Sequence, residues 1–349
     1  MNVKSRKHQR KHHRQQLTQL NYVKAFVSGT LMGIADIVPG VSGGTVALVM
    51  GVYHRLVAAL SNFDQQLLRL LTQRDIRAAI RHIDLIFLFT LGAGVVLGLG
   101  VSVMTISKLL SDMSTRPWVM AAFFGLVLGS IWIVLNMIRH APSPIASRND
   151  TKGSQILWFP FLIGLVVAAI IGLMSPNRDG GGITLWYVFV CAAVAICAMI
   201  LPGISGAMIL LLLGVYEHVV DALKSLLHFE NIGQNLIVVS VFVLGCILGL
   251  LGFSKLLRRL LDQQFAATMS VMCGLMAGSL VVLWPFQRDL SPETMVVKEK
   301  EFKPMFPQEW GVETISLFIL IALSSSLVLT AHYLTMRMKL AKPEASPRK

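Results

Sequence analysis

Apolar residues fill the chain in long blocks, and the blocks are of two kinds. Six run without a serious interruption, at about 84–110, 117–138, 155–174, 234–261, 265–286 and 313–336. A hydrocarbon core of ~30 Å needs ~20 apolar residues in a helix, so each is read as a transmembrane span. Two further blocks, 22–63 and 184–225, are as apolar but are broken at Val38-Pro39-Gly40 and Leu201-Pro202-Gly203. Each arm is too short to cross comfortably, so both are read as re-entrant hairpins, helix–break–helix. Polar stretches separate the blocks. Residues 61–82, with Arg69, Arg74, Arg77 and Arg81 against Asp64 and Asp75, predict a basic amphipathic connector. Residues 139–154 form a basic loop, Ser175-Pro176-Asn177 and Gly180–Gly182 a turn, and 287–312 a loop of mixed sign.

Composition sharpens this into a class. Of 349 residues 54% are apolar and only 14% charged, with mean hydropathy +0.67, whereas a soluble domain carries roughly 25% charged residues. The chain reads as a polytopic membrane protein. Its formal charge of +13 does not point to nucleic acid. The charge crowds the tails, in Lys4, Arg6, Lys7, Arg10, Lys11 and Arg14 and again in Arg337, Lys339, Lys342, Arg348 and Lys349, without the interleaved aromatics of a single-strand binder. Basic tails flanking apolar spans are a positive-inside signature and suit an anionic cytoplasmic leaflet. Cys191, Cys197, Cys246 and Cys273 lie in apolar runs with no C-x-x-C pair and read as small hydrophobes. The basic N-terminus followed by apolar sequence has the outline of a signal peptide but no small-residue cleavage site, and is read as retained.

The two broken blocks are copies of each other. Asp36-Ile-Val-Pro-Gly-Val-Ser-Gly-Gly-Thr45 returns as Met199-Ile-Leu-Pro-Gly-Ile-Ser-Gly-Ala-Met208, and each runs on to Gly-Val-Tyr at Gly51–Tyr53 and Gly214–Tyr216. Further on, Ser107-Lys-Leu-Leu110 recurs as Ser254-Lys-Leu-Leu257, and Gly125-Leu-x-x-Gly-Ser130 as Gly274-Leu-x-x-Gly-Ser279. One hairpin and three spans per copy make an odd number of crossings, so the copies face opposite ways. With the N-terminus inside, the basic loops and both tails fall in the cytoplasm and the mixed loop falls outside. The expected fold is an all-α polytopic membrane protein built as an inverted-topology repeat. Repeat 1 covers 21–175 and repeat 2 covers 176–337, with cytoplasmic tails at 1–20 and 338–349.

A duplicated, glycine-rich break at membrane depth is the sequence pointer to a transporter's binding site. Pro39-Gly40 and Pro202-Gly203 stop one arm, and the next arm then starts with free N–H groups at mid-depth. The Ser42 and Thr45 hydroxyls, close approach at Gly43 and Gly44, and the mirror pair Ser205 and Gly206 make that start a candidate anion site. The competing reading is a pair of helix kinks with small residues for packing. Arg55 is a candidate counter-charge, with snorkelling as its alternative. Asp36, Glu217 and His54, which stands in Glu217's place in the first copy, are candidate coupling groups, because intramembrane ionisable residues are functional by default. No metal cluster and no cofactor motif is found. Lys108, Lys255, Arg258 and Arg259 read as span-end anchors, and Trp118, Trp158, Trp186, Trp284 and Trp310 as interfacial belts.

Pro-Gly-Val-Ser-Gly-Gly-Thr before Gly-Val-Tyr, together with Pro-Gly-Ile-Ser-Gly before Leu-Leu-Gly-Val-Tyr-Glu, resembles the polyprenyl-phosphate transporter family of bacteria. The likeness spans nearly the whole chain outside the tails. It implies a lipid substrate, undecaprenyl phosphate, returned from the outer to the inner leaflet of the cytoplasmic membrane to recycle the carrier for peptidoglycan and other surface polymers. It also implies no enzymatic step. Two rival readings remain at this point. One is a membrane undecaprenyl-pyrophosphate phosphatase, whose Pro-Gly-x-Ser-Arg-Ser motif is similar but has Arg where Gly43 stands here. The other is a secondary transporter of a small soluble anion.

Overall fold

A computed structural model describes residues 22–36, 42–140, 156–174, 183–229, 231–289, 302–307 and 310–340. Five of its helices are long and apolar enough to cross a membrane: α6 (Leu85–Ser111), α7 (Arg116–His140), α12 (Ile232–Gln263), α13 (Phe265–Leu283) and α14 (Val312–Leu340). The chain is an all-α polytopic membrane protein. Many large apolar side chains are exposed on the helix surfaces, Phe89, Phe159 and Trp186 among them, as suits a hydrocarbon solvent.

Each broken block is three helices rather than two. The first holds α1 (Tyr22–Ala35), α2 (Gly43–Val49) and α3 (Tyr53–Ser61), and the second α9 (Leu185–Ile200), α10 (Gly206–Leu212) and α11 (Tyr216–Leu227). The added break lies at Gly-Val-Tyr, where the chain turns by 115° between α2 and α3 and by 106° between α10 and α11. The cause is the same in both. Gly51 and Gly214 adopt left-handed backbone, φ 68° and 70°, a region closed to most side chains. The Gly51 amide donates to Leu48 O and the Val52 amide to Ala47 O; Gly214 and Val215 do the same to Leu211 and Leu210. That pair of bonds is the Schellman stop, which satisfies the last carbonyls of a helix. A two-armed hairpin is therefore too simple a description.

Between the broken blocks lie α4 (Gln65–Thr72), α5 (Ile76–His82) and α8 (Trp158–Leu173). The stretch expected as a span at 155–174 is helical for only 16 residues, a rise of about 24 Å. A small ribbon, β1 (Gln287–Asp289) antiparallel to β2 (Phe302–Pro304), occupies part of the mixed-sign loop. It is held to the start of α7 by Arg116, whose guanidinium lies 3.4 Å over the Phe302 ring and donates to Gln287.

The helices pair through glycines spaced four apart, which let backbones approach closely where burial from water offers no drive. A Cβ added at Gly94 or Gly98 of α6 would strike the carbonyls of Phe26 or Thr30 on α1, and one at Gly245 or Gly249 of α12 those of Phe189 or Ala193 on α9. Likewise Gly125 and Gly129 of α7 meet Ile321 and Ser325 on α14, while Gly274 and Gly278 of α13 meet Phe161 and Leu165 on α8. The core lies where α2 and α3, with Ala47, Tyr53 and Val57, settle against α7, α12 and α13 at Met120, Leu257 and Met272.

The packing separates two kinds of glycine. Gly274→Ala would place its methyl 2.0 Å from Phe161 O, whereas Gly252→Ala on α12 meets nothing within 4 Å. Thermal unfolding in detergent should show Gly274→Ala destabilised by about 1–3 kcal/mol and Gly252→Ala unchanged or slightly more stable.

Candidate functional site

The two breaks meet. Helix α9 ends at Ile200 without a helical successor, so its last carbonyls need donors from elsewhere. They find them in the first copy, on the far side of the sequence. Ser42 Oγ shares its hydrogen between Met199 O (3.1 Å) and Leu201 O (3.2 Å), and Tyr53 Oη donates to Ile200 O at 3.2 Å. In return the Gly203 amide donates to Thr45 Oγ1 at 3.1 Å. Ser42, Thr45 and Tyr53 are buried, where an unpaired polar atom is costly.

The start of α2 is arranged as an anion seat, and the chain's own carboxylate sits in it. Asp36 Oδ1 accepts from the Gly43 amide at 2.6 Å, and Ser42 Oγ, as N-cap, accepts from the Gly44 amide at 3.1 Å. An N-cap of this type satisfies one of the free amides of a helix start, and the Asp36 carboxylate meets the positive end of the helix. Space explains the glycines. A Cβ at Gly43 would press on the Asp36 carboxylate, and one at Gly44 would lie 2.5 Å from Ile200 O. In the second break Gly203 has φ 89° and its Cβ position is 2.6 Å from the backbone of Leu275 on α13. No side chain but hydrogen fits there.

The second copy is not a replica. Ser205 precedes α10 but makes no side-chain cap bond, and Ala207 and Met208 stand where Gly44 and Thr45 do. Gly206 is buried against Ala195 O. Pro39 and Gly40 lie outside the described residues; Pro202 turns the chain between α9 and α10.

The charged candidates fall elsewhere. Arg55 forms a two-pronged ion pair with Asp84, Nε to Oδ2 at 2.6 Å and Nη2 to Oδ1 at 3.1 Å, and lies 4.2 Å over the Phe87 ring. It thus joins α3 to the start of α6. His54 stacks on Phe265 of α13, with ring centroids 5.9 Å apart. Glu217 is exposed in the first turn of α11, where negative charge suits the helix dipole. Two partners were not singled out from sequence. Tyr53 carried a signal, being repeated as Tyr216; Asp84 carried none. Among the described residues no group of three or more His, Cys, Asp or Glu is placed to hold a metal ion.

With this geometry in place, comparison with known proteins decides the family. The model of the undecaprenyl phosphate translocase-like family matches residues 32–300, which include both breaks. The chain belongs to the undecaprenyl phosphate translocase-like family. Two relatives agree. A protein of Vibrio cholerae named polyprenyl-phosphate transporter is 36% identical over 274 residues, 78% of this chain and 80% of its own. A protein of Staphylococcus aureus with the same name is 27% identical over 281 residues, 78% of this chain and 88% of its own. No solved structure matches the chain. The family match thus runs through the whole interlock, from the residues before Asp36 to beyond α13.

The interlock predicts its own energetics. Tyr53→Phe leaves the buried Ile200 carbonyl without its donor and should cost about 1–3 kcal/mol. Asp84→Asn, which keeps a residue that tolerates the left-handed backbone at this position, removes only a half-exposed ion pair and should cost below about 1 kcal/mol. Thermal unfolding of both variants in one detergent checks the order.

Proposed function

We propose that this chain carries undecaprenyl phosphate across the bacterial cytoplasmic membrane, from the outer to the inner leaflet, so that the lipid carrier is used again in peptidoglycan and envelope-polymer synthesis. The observation that carries this reading is the anion seat at the start of α2, interlocked with the second break. The names of the two relatives support the substrate class. In this reading the prenyl tail stays in lipid and only the head group crosses the protein. An unaided charge at the bilayer centre costs on the order of 3 kcal/mol by insertion scales and ~10–17 by simulation. A polar seat within the membrane lowers that barrier.

Ser42, Gly43, Gly44 and Thr45 form the main half of the proposed head-group site, with Ser205 and Gly206 as the other half and Arg55 as the cation nearest in sequence. The Gly43 amide is held by Asp36, so the phosphate takes a place that a carboxylate occupies in this conformation. Asp36 is therefore the first candidate for coupling transport to an ion gradient, ahead of Glu217 and His54. Arg55 would have to exchange Asp84 for the phosphate.

The proposed architecture is an inverted repeat with both termini in the cytoplasm. It is supported by the matched turns at Gly51 and Gly214, and by left-handed backbone at Asp84 and Asn231, the residues just before α6 and α12. It is supported again by crossed packing, in which α7 lies on α14 as α13 lies on α8.

Proteoliposomes holding undecaprenyl phosphate, with and without a pH or sodium gradient, test the proposal. Head-group accessibility to an impermeant probe and release of inorganic phosphate are followed together. Protein-dependent movement without release is expected; release from the pyrophosphate form would make this an enzyme. Ser205→Ala is the cleaner site variant, because Ser205 makes no cap bond. It should weaken head-group binding about ten- to hundredfold, the loss of one hydrogen bond to a charged group. Unchanged binding and transport would remove Ser205 from the site.

A further inference from the structure

The first copy carries an insertion that the second lacks. The offset between matched positions is 163 from Leu60 to Leu223 but 147 from Ser107 to Ser254, so the first copy is sixteen residues longer between them. The extra length is the helical hairpin α4–α5.

This hairpin is two-faced and its apolar face is uncovered. In α4 the four leucines at 67, 68, 70 and 71 fall on one side of the helix and Gln65, Gln66, Arg69 and Thr72 on the other. None of its residues is buried. Leu68 is 63% exposed, Leu71 50% and Ile76, at the start of α5, 62%. Arg74 closes α4 in left-handed backbone, φ 57°, with its amide on Leu71 O and that of Asp75 on Leu70 O.

The charge is one-sided. Among the described residues Arg69, Arg74, Arg77 and Arg81 make no ion pair, although two carboxylates are close in sequence. Asp64 accepts from the Leu67 amide and pairs with His82, and Asp75 accepts from the Ala78 amide. Both acids thus serve as helix caps. Four arginines with long apolar stems, beside exposed leucines, are the composition of a helix that lies in a membrane interface and meets anionic head groups.

We propose that α4–α5 is an interfacial mooring: it seats Leu68, Leu71 and Ile76 among the acyl chains at the membrane surface and its arginines on the anionic head groups of that leaflet. The mooring is tied to both copies. Asn62 Nδ2 donates to His82 O at 2.7 Å, and Arg258 of α12 donates to Ser61 Oγ at 2.9 Å and to Asn62 Oδ1 at 2.7 Å. The end of α3, and with it the first broken block, is thereby held at a fixed depth relative to one leaflet.

Hydrogen–deuterium exchange of the full chain in nanodiscs tests this. Discs of phosphatidylcholine alone are compared with discs that also contain phosphatidylglycerol, and the amides of α8 and α13 serve as a folded reference in the same sample. Residues 66–82 should exchange about tenfold more slowly with the anionic lipid, and less so at high salt. The variant R69Q/R74Q/R77Q/R81Q should lose that difference while the reference amides stay unchanged. Equal exchange of the wild-type chain in both lipids overturns the proposal. If exchange is slow in both, the hairpin is held by the protein; if it is fast in both, its apolar face awaits a protein partner.

Discussion

A helix that stops in a buried, apolar setting leaves carbonyl and amide groups that no water can satisfy, and the arrangement of this chain follows from how it meets that constraint. The end of α9 is satisfied by Ser42 and Tyr53 of the other copy, and the amide of Gly203 by Thr45. Neither break is complete alone. The contact spans about 150 residues of sequence, so folding of the second break depends on the first being in place. The residues that look like ligand chemistry, a hydroxyl beside glycines, are at the same time the groups that hold the two copies together.

The glycines divide along the same line. Gly51, Gly203 and Gly214 answer to backbone conformation. Gly94 and Gly98 of α6, Gly125 and Gly129 of α7, Gly245 and Gly249 of α12 and Gly274 and Gly278 of α13 answer to helix contact, and the repeated Gly-Leu-x-x-Gly-Ser is of this second kind: Gly125 and Gly274 each lie on the backbone of a helix from the opposite copy. Such crossed packing brings backbones of the two copies into direct contact around the breaks.

Much of this was legible from residues alone. Hydropathy pointed to long apolar helices where α6 (Leu85–Ser111) and α12 (Ile232–Gln263) lie, because a run of apolar residues has only one good solution in lipid. Duplication pointed to the break at Pro202-Gly203, which lies between α9 and α10. What stayed hidden depends on long-range or torsional information. Gly-Val-Tyr was visible as an identity, but its meaning as a helix stop requires φ at Gly51 and Gly214. Arg55 read as a spare cation because Asp84, its partner, lies 29 residues on. Asp36 read as a titratable group near a break, and only the fold shows its carboxylate on the Gly43 amide.

That carboxylate constrains how any anion can be received. The amides of α2 offer positive charge, but the carbonyls of Met199, Ile200 and Leu201 face the same region and would repel a phosphate. The Ser42 and Tyr53 hydroxyls cover those carbonyls by donating to them, and Ser42 also takes the Gly44, Thr45 and Val46 amides, which leaves the Gly43 amide for an anion. In this conformation Asp36 already fills it. If the head group binds here as proposed, it would gain little from the interlock as it stands, and most in a conformation where Asp36 has released Gly43. Binding energy that appears only after such a release biases the chain toward the released conformation. Under the proposed function, a self-filled seat would supply what a carrier needs: a site that is quiet when empty and changes state when a lipid phosphate replaces the carboxylate.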